Sequence, residues 1–175
     1  MANTKWNIDP THSEVTFKVK HLMISTVTGN FKVFEGEAES DTDEFKSIKN
    51  IEFKADVKSI NTNNEQRDEH LRSADFFGAD DNSEMIFRAN SFDVGSEKLE
   101  GELTIRNTTK PVTLDVDFGG VVVDPYGQTK AGLTVSGKIS RKEFGLTWDA
   151  VTEAGSVVVS DQVRINSEVQ FVKQA

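Results

Sequence analysis

Three histidines and their acidic neighbours are the residues of this chain that could perform acid–base or metal chemistry. His12 follows Asp9 by three positions, His70 follows Asp68 by two, and His21 lies nine positions beyond His12. An odd separation places His12 and His21 on opposite faces of a strand, and a straight strand would hold them ~30 Å apart. The sequence therefore predicts structural, hydrogen-bonded histidines and no metal site.

Nucleophilic catalysis would need a serine within hydrogen-bond reach of a histidine. Ser13 adjoins His12 and Ser73 follows His70, but neighbouring residues on a strand point to opposite faces, so Ser13 and His12 cannot pair directly. The chain has no cysteine and no nucleophile-elbow, metalloprotease, phosphate-loop or dinucleotide motif. We therefore expect no catalytic residues, no cofactor and no enzymatic activity.

Alternation of apolar and polar residues predicts the elements that would position any site. A period of two indicates antiparallel strands with one buried and one wet face. The clearest runs are 15–19, 51–57, 99–105, 112–118, 133–139 and 163–171, with less regular runs at 31–38 and 85–94. About eight strands at this spacing, with no linker between them, predict one all-β domain over residues 1–175, as in a sandwich or a barrel. Alternation alone does not separate a packed core from a cavity.

Residues 62–72, TNNEQRDEHLR, break this alternation and are rich in helix formers. They predict one helical insertion of about three turns between residues 61 and 73, capped by Thr62 or Asn63. Only Leu71 is strongly apolar within it, so the helix should lie on the surface. The double phenylalanine at 76–77 would anchor its end to the β-structure.

Charge and composition restrict the classes of partner. Lys and Arg number 20 against 29 Asp and Glu, giving a formal net charge of −9, which disfavours nucleic acid and anionic membrane surfaces. Twelve Phe against one Tyr favour a dry interior. No apolar run reaches the ~18 residues of a membrane span. The first residues lack a signal-peptide pattern, so we expect a cytoplasmic protein, or a periplasmic or secreted one if a signal peptide was removed.

Four motifs, in this order along the chain, resemble the YceI-like family. They are W-x-I-D-x-x-H-S-x-V-x-F-x-V-x-H at 6–21, I-x-T-x-x-x-x-R-D-x-H-L-x-S-x-D-F-F at 60–77, G-x-L-T-I with T-K-P-V-x-L at 101–114, and F-G-L-x-W at 144–148. The resemblance implies an extended, eight-stranded, lipocalin-like antiparallel barrel with a long internal pocket. It also implies that the pocket holds a polyisoprenoid or another long-chain amphiphile and that no catalytic role is established for the motif residues.

If the barrel holds a lipid as the resemblance implies, the side chains that face inward on each predicted strand are the expected ligand contacts. We expect the apolar contacts to be Phe17, Val19, Phe53, Phe87, Leu103, Leu114, Val135, Phe144 and Trp148. We place the helix across one mouth of the barrel, with Arg67, His70 and Arg72 near a polar head group. A helix on the outside of the barrel, with solvated or locally paired arginines, is the equally open alternative.

The leading interpretation is a protein that carries or sequesters a prenyl phosphate or an isoprenoid quinone precursor. The alternatives are an enzyme that acts on such a lipid and a structural barrel without a ligand. The sequence leaves a homodimer open.

Overall fold

The computed structural model describes residues 3–149 and 158–175. Within these ranges the chain forms eleven strands and one α-helix. The strands are β1 (Thr4–Ile8), β2 (Glu14–His21), β3 (Ser25–Phe31), β4 (Phe34–Ser40), β5 (Ser47–Asp56), β6 (Ile60–Asn61), β7 (Glu84–Asp93), β8 (Lys98–Ile105), β9 (Thr108–Val123), β10 (Thr129–Ser140) and β11 (Val159–Lys173), and the helix is α1 (Glu65–Arg72). Short 3-10 turns occupy Pro10–His12, Val57–Ser59, Val94–Ser96 and Arg141–Phe144.

The strands occupy eight positions around a closed wall. β1 and β2 share one position in the wall because both pair with β11. In the same way, β3 and β4 share a second position, and β5 and β6 share a third. β4 pairs with β1 while β3 pairs with β2 and β6, and β7 to β11 follow in order. All pairings are antiparallel. The predicted eight-stranded antiparallel barrel with one helix is confirmed.

Trp6 lies at the seam where the first and last strands meet. It is opposite Lys173 of β11 on one side and Ala38 of β4 on the other. The side chain is fully buried, and its indole N–H donates to Ser40 Oγ at 2.9 Å. Its ring meets the ring of Phe45 edge-on, with centroids 5.0 Å apart. One residue thus contributes apolar packing and a satisfied polar group to the closure of the wall.

The break between β1 and β2 is held by a cluster of charged groups. Asp9 Oδ2 accepts from Lys130 Nζ at 3.0 Å and lies 2.8 Å from His12 Nδ1, while Thr11 N donates to Asp9 Oδ1 at 3.0 Å. Asp124 lies 3.6 Å from the same lysine. Burial opposes the charged form of Asp9, but the hydrogen bonds outweigh it and hold the pKa of Asp9 well below its ordinary value. The hydrogen bond to Asp9 in turn raises the pKa of Lys130.

The helix is shorter than the sequence predicted. α1 spans eight residues, about two turns, and its N-cap is Asn64, whose side chain accepts from Arg67 N at 3.1 Å. The predicted caps, Thr62 and Asn63, are wrong for two physical reasons. Thr62 N and Oγ1 both donate to the Asp68 carboxylate, at 2.9 and 2.5 Å, and Asn63 has a left-handed backbone with φ 62°. Both residues are therefore held outside the helix.

No helix in the described part of the chain is long and apolar enough to cross a membrane.

The Asp9 cluster predicts a specific pH dependence of stability. Because the pKa of Asp9 is depressed below 3.8, its stabilising contribution is present above that pH and is lost as the pH falls further. We expect Asp9→Asn to lower the melting temperature clearly at neutral pH, with the gap to wild type narrowing below about pH 3 as the wild-type carboxylate also protonates. Thermal melts across this range measure the gap. Asp80→Asn, at an exposed carboxylate, is the control, and a gap that stays constant with pH would contradict the assignment.

Candidate functional site

An apolar cavity of about 240 Å³ runs inside the barrel. Val159 and the alternate residues of β11 from Val163 to Phe171 line it, so it extends along most of that strand. Among the described lining residues only Thr16, Ser167 and Arg141 are polar. The cavity follows from the alternation, because the strands turn their apolar faces inward and no described segment fills the space between them.

Seven of the predicted ligand contacts line this cavity. They come from six of the strands and meet around one interior: Phe17, Val19, Phe53, Phe87, Leu103, Leu114 and Val135. Phe87 and Leu103 lie opposite each other on β7 and β8. Alternation placed these side chains on the inner face, although their contact with a ligand stays a prediction.

Phe144 and Trp148 are not among the described residues that line the cavity. Phe144 is fully buried in the core. Trp148 packs beside His70 and Phe76, with ring centroids 4.8 and 5.4 Å away. His70 also has Asp75 Oδ2 2.9 Å from its Nε2. The sequence predicted that Phe144 and Trp148 contact the ligand, but apolar character alone does not distinguish a residue of the cavity lining from one of the core. Contact of either ring with a ligand stays a prediction.

The helical segment closes around one end of the cavity with its apolar residues. Leu71 of α1 and the double phenylalanine, Phe76 and Phe77, line the cavity. Arg106, in the turn after β8, donates to the Phe76 carbonyl at 2.7 Å and to the Gly145 carbonyl at 3.3 Å. The segment is thereby attached to the end of the barrel where β8 ends and β9 begins.

The two arginines of α1 have local partners outside the cavity lining. Arg67 donates from Nε to Thr62 Oγ1 at 2.7 Å and from a terminal nitrogen to the Thr62 carbonyl at 2.6 Å. Arg72 Nη1 donates to Glu65 Oε1 at 3.2 Å and its Nε to a backbone carbonyl at 3.0 Å. These contacts fit the alternative of locally paired arginines. Contact of Arg67, His70 or Arg72 with a head group stays a prediction.

Arg141 is the cation that the structure brings to the cavity. Only 4 % of it is exposed, and its guanidinium donates to four backbone carbonyls: Ser160 at 2.9 Å, Leu146 at 2.7 Å, Trp148 at 2.8 Å and Val159 at 3.1 Å. The carbon of the guanidinium lies 6.0 Å from the centroid of the Phe76 ring. These bonds hold the start of β11 and the chain after the 3-10 turn against the end of β10.

Burial sets the electrostatics of this end of the cavity. It lowers the pKa of Arg141, and the carboxylates of Asp149 and Asp161 partly offset the loss. Asp161 accepts from Ser140 Oγ at 2.6 Å and from Lys142 N at 3.0 Å. Burial opposes its charge, yet these bonds and the nearby cations leave the pKa of Asp161 below its ordinary value.

Sequence reasoning missed Arg141, although a signal was present. Leu133, Val135, Gly137 and Ile139 share the inward parity of β10, and position 141 continues it. Extending the alternation of β10 by two residues beyond Ile139 predicts that the side chain of Arg141 faces inward at the end of this strand.

The three histidines lie in separate places, in the turn before β2, at the end of β2 and on α1. Across 3–149 and 158–175, no three His, Asp or Glu side chains gather as a metal ion would require.

Comparisons with known proteins agree with this architecture. Residues 6–171 match the family model of the YceI-like domain. A UPF0312 protein of Staphylococcus epidermidis is 39% identical over 169 residues, covering 96% of this chain and 97% of that protein, and one of Staphylococcus aureus is 37% identical with the same coverage. The crystal structure of a Campylobacter jejuni YceI protein has a TM-score of 0.73 and 33% identity, covering 89% of this chain and 90% of that one. A polyisoprenoid-binding domain from Saccharophagus degradans shares the fold, with a TM-score of 0.73 at 15% identity. The match covers 97% of this chain and 98% of that domain.

The cavity predicts that a larger side chain at its wall will exclude an apolar guest. Val135→Phe should reduce uptake of the neutral fluorescent probe N-phenyl-1-naphthylamine, while the free energy of unfolding changes by no more than about 1–3 kcal/mol. Val122→Phe, at an exposed position of β9, is the matched control and should take up the probe normally. Normal uptake by Val135→Phe would show that the probe binds elsewhere.

Proposed function

The chain belongs to the YceI-like family, and we propose that it binds a long-chain polyisoprenoid lipid inside its barrel and carries or sequesters it. The supporting observation is the cavity itself, which is apolar along most of β11 and has one buried cation in its described lining. Burial of a tail contributes about 0.8 kcal/mol per CH₂. A few isoprene units would therefore give tight binding with few polar contacts.

The head group we propose is anionic, as in a prenyl phosphate, and is located at Arg141. Four of the five guanidinium N–H groups donate to the carbonyls described above. The second N–H of Nη2 has no partner among the described residues, and we assign it to the ligand. The described hydrogen bonds of this group all go to neutral carbonyls, and a phosphate would add a charge-assisted bond to a cation whose charge Asp149 and Asp161 already partly balance. The tail would then extend from Arg141 toward the other end of β11.

Shared architecture supports this choice of ligand. The Saccharophagus degradans domain described as polyisoprenoid-binding shows that a barrel of this fold is associated with such lipids in another protein. In this chain the cavity lining is apolar where the tail would lie and cationic where the head group would lie.

Binding is a better account of the cavity than catalysis. Arg141 is the one titratable side chain among the described residues that line it, and a guanidinium keeps its proton at neutral pH, so it is a poor acid or base. Asp68, the candidate acid–base partner of His70, instead accepts two hydrogen bonds from Thr62. These contacts support a binding role for the described site.

A pair of lipids with the same tail tests the proposed head-group contact. We expect Arg141→Gln to weaken binding of geranylgeranyl phosphate relative to geranylgeraniol by roughly 1–3 kcal/mol, because one charge-assisted hydrogen bond is lost. Titration of both lipids by the quenching of tryptophan fluorescence gives the ratio of the two affinities.

Arg106→Gln is the matched control for this measurement. Arg106 also donates to backbone carbonyls but is not among the described lining residues, so its replacement should leave the ratio unchanged. Because a general loss of structure weakens both lipids alike, the ratio separates head-group contact from stability. An unchanged ratio in Arg141→Gln would place the head group elsewhere.

A further inference from the structure

The tip of the β2–β3 hairpin, residues 21–25, presents apolar side chains to solvent. Met23 is 63% exposed and Ile24 is 84% exposed. Two neighbouring large apolar side chains at a protruding hairpin are available to contact an apolar surface. The tip is therefore a candidate contact surface.

The backbone of the tip is also unusual for these residue types. Leu22 and Met23 have φ of 54° and 59°, and Ile24 N donates to the His21 carbonyl at 3.2 Å. The loop between the paired residues His21 and Ser25 has three residues, and a turn whose two central residues both have positive φ favours Asn and Gly. Large apolar residues are strained there, so fold stability gives no reason for Leu and Met at these positions, and a functional reason is indicated.

Exposed cations lie on the outer wall beside this tip. Lys138, Arg164 and Lys18 are directly opposite one another on β10, β11 and β2, and Lys20 follows on β2 toward the tip. All four are exposed, and none forms an ion pair with a residue in the described ranges. We call these four residues the basic row.

Cations of the basic row lie opposite one another on neighbouring strands, and like charges in that arrangement destabilise a sheet. Lys18 and Lys20 lie opposite Thr28 and Thr26 on β3, which are uncharged, and the facing pair Glu14 and Glu168 lies four residues further from the tip. The basic row is therefore a local positive surface on a chain with a net charge of −9. The net charge alone did not reveal it, because strand register brings together cations that are far apart in the sequence.

The tip and the basic row lie at the Arg141 end of the cavity. His21 is opposite Val159, a cavity-lining residue whose carbonyl accepts from Arg141. Leu22 N donates to the Val158 carbonyl at 2.8 Å. A surface that met the tip would thus meet the barrel beside this end of the cavity.

We propose that the hairpin tip and the basic row form a docking surface for an anionic lipid bilayer. Met23 and Ile24 enter the apolar boundary of the bilayer while the basic row contacts its phosphates, the combination that attaches peripheral proteins to membranes. Docking in this orientation places at the bilayer the end of the cavity that Arg141 and Phe76 line. The docking surface goes beyond the proposed function, since it recognises the bilayer whichever lipid the cavity holds.

Flotation with vesicles tests the docking surface on the full chain. The wild type should float with vesicles of phosphatidylcholine mixed with phosphatidylglycerol at low salt, and less with phosphatidylcholine alone or at high salt. Lys18→Gln with Arg164→Gln should lower partition to the anionic vesicles by on the order of tenfold or more, since each cation near such a surface contributes about a factor of five. Met23→Ser with Ile24→Ser should lower partition to both kinds of vesicle.

Two matched variants at the opposite end of the barrel control for apolar exposure and charge. Val122→Ser with Val123→Ser changes exposed residues near the β9–β10 turn, and Lys5→Gln with Lys173→Gln removes two charges where β1 begins and β11 ends. Both should float as the wild type does. Affinity for geranylgeraniol should be unchanged in all four variants, which separates loss of docking from loss of the cavity.

The proposal is overturned if the wild type does not float with anionic vesicles, or if the tip and basic-row variants float normally. It is also overturned if the controls lose as much binding as those variants. Sedimentation equilibrium that shows a dimer dispersed by Met23→Ser with Ile24→Ser would assign the tip to a second copy of the chain instead.

Discussion

Closure of β11 onto β1 and β2 is the constraint on which the rest of the structure depends. One strand pairs with both halves of the interrupted first strand and with β10, so the first and last parts of the chain complete the wall together. A closed wall has no free edge, and every inward side chain then faces the same enclosed space. Because most of those side chains are apolar, the enclosed space is apolar, and the helical segment adds Leu71, Phe76 and Phe77 at one end.

Lys130 and Arg141 are the two buried cations described above, and they differ in how their charges are balanced. Lys130 lies between two carboxylates, with Asp9 at 3.0 Å and Asp124 at 3.6 Å, so a nearly buried cation is neutralised by its neighbours. Arg141 is as buried, but its described hydrogen bonds go to backbone carbonyls, while the carboxylates of Asp149 and Asp161 interact with its charge. Both arrangements offset the cost of burying a cation, and the second places that cation in the lining of the cavity.

Much of the wall could be predicted from sequence because a period of two is a local signal. Leu103 and Val135 face the interior for the same reason that their neighbours face solvent. The packing of Trp148 against His70 could not be predicted, since it depends on where the chain after β10 meets the helix. The row of Lys138, Arg164 and Lys18 could not be predicted either, because these residues come together only through the register of three strands. The helix was predicted too long because the hydrogen bonds of Thr62 to Asp68 replace its first turn.

Native mass spectrometry of the intact, gently purified chain tests the central claim most directly, because it weighs the protein together with whatever its cavity holds. We expect one long-chain isoprenoid per chain, released on activation, and no lipid on Leu103→Arg, in which a charge occupies the dry interior. A wild-type protein that carries no lipid, and that gains none when incubated with geranylgeranyl phosphate or geranylgeraniol, would contradict it.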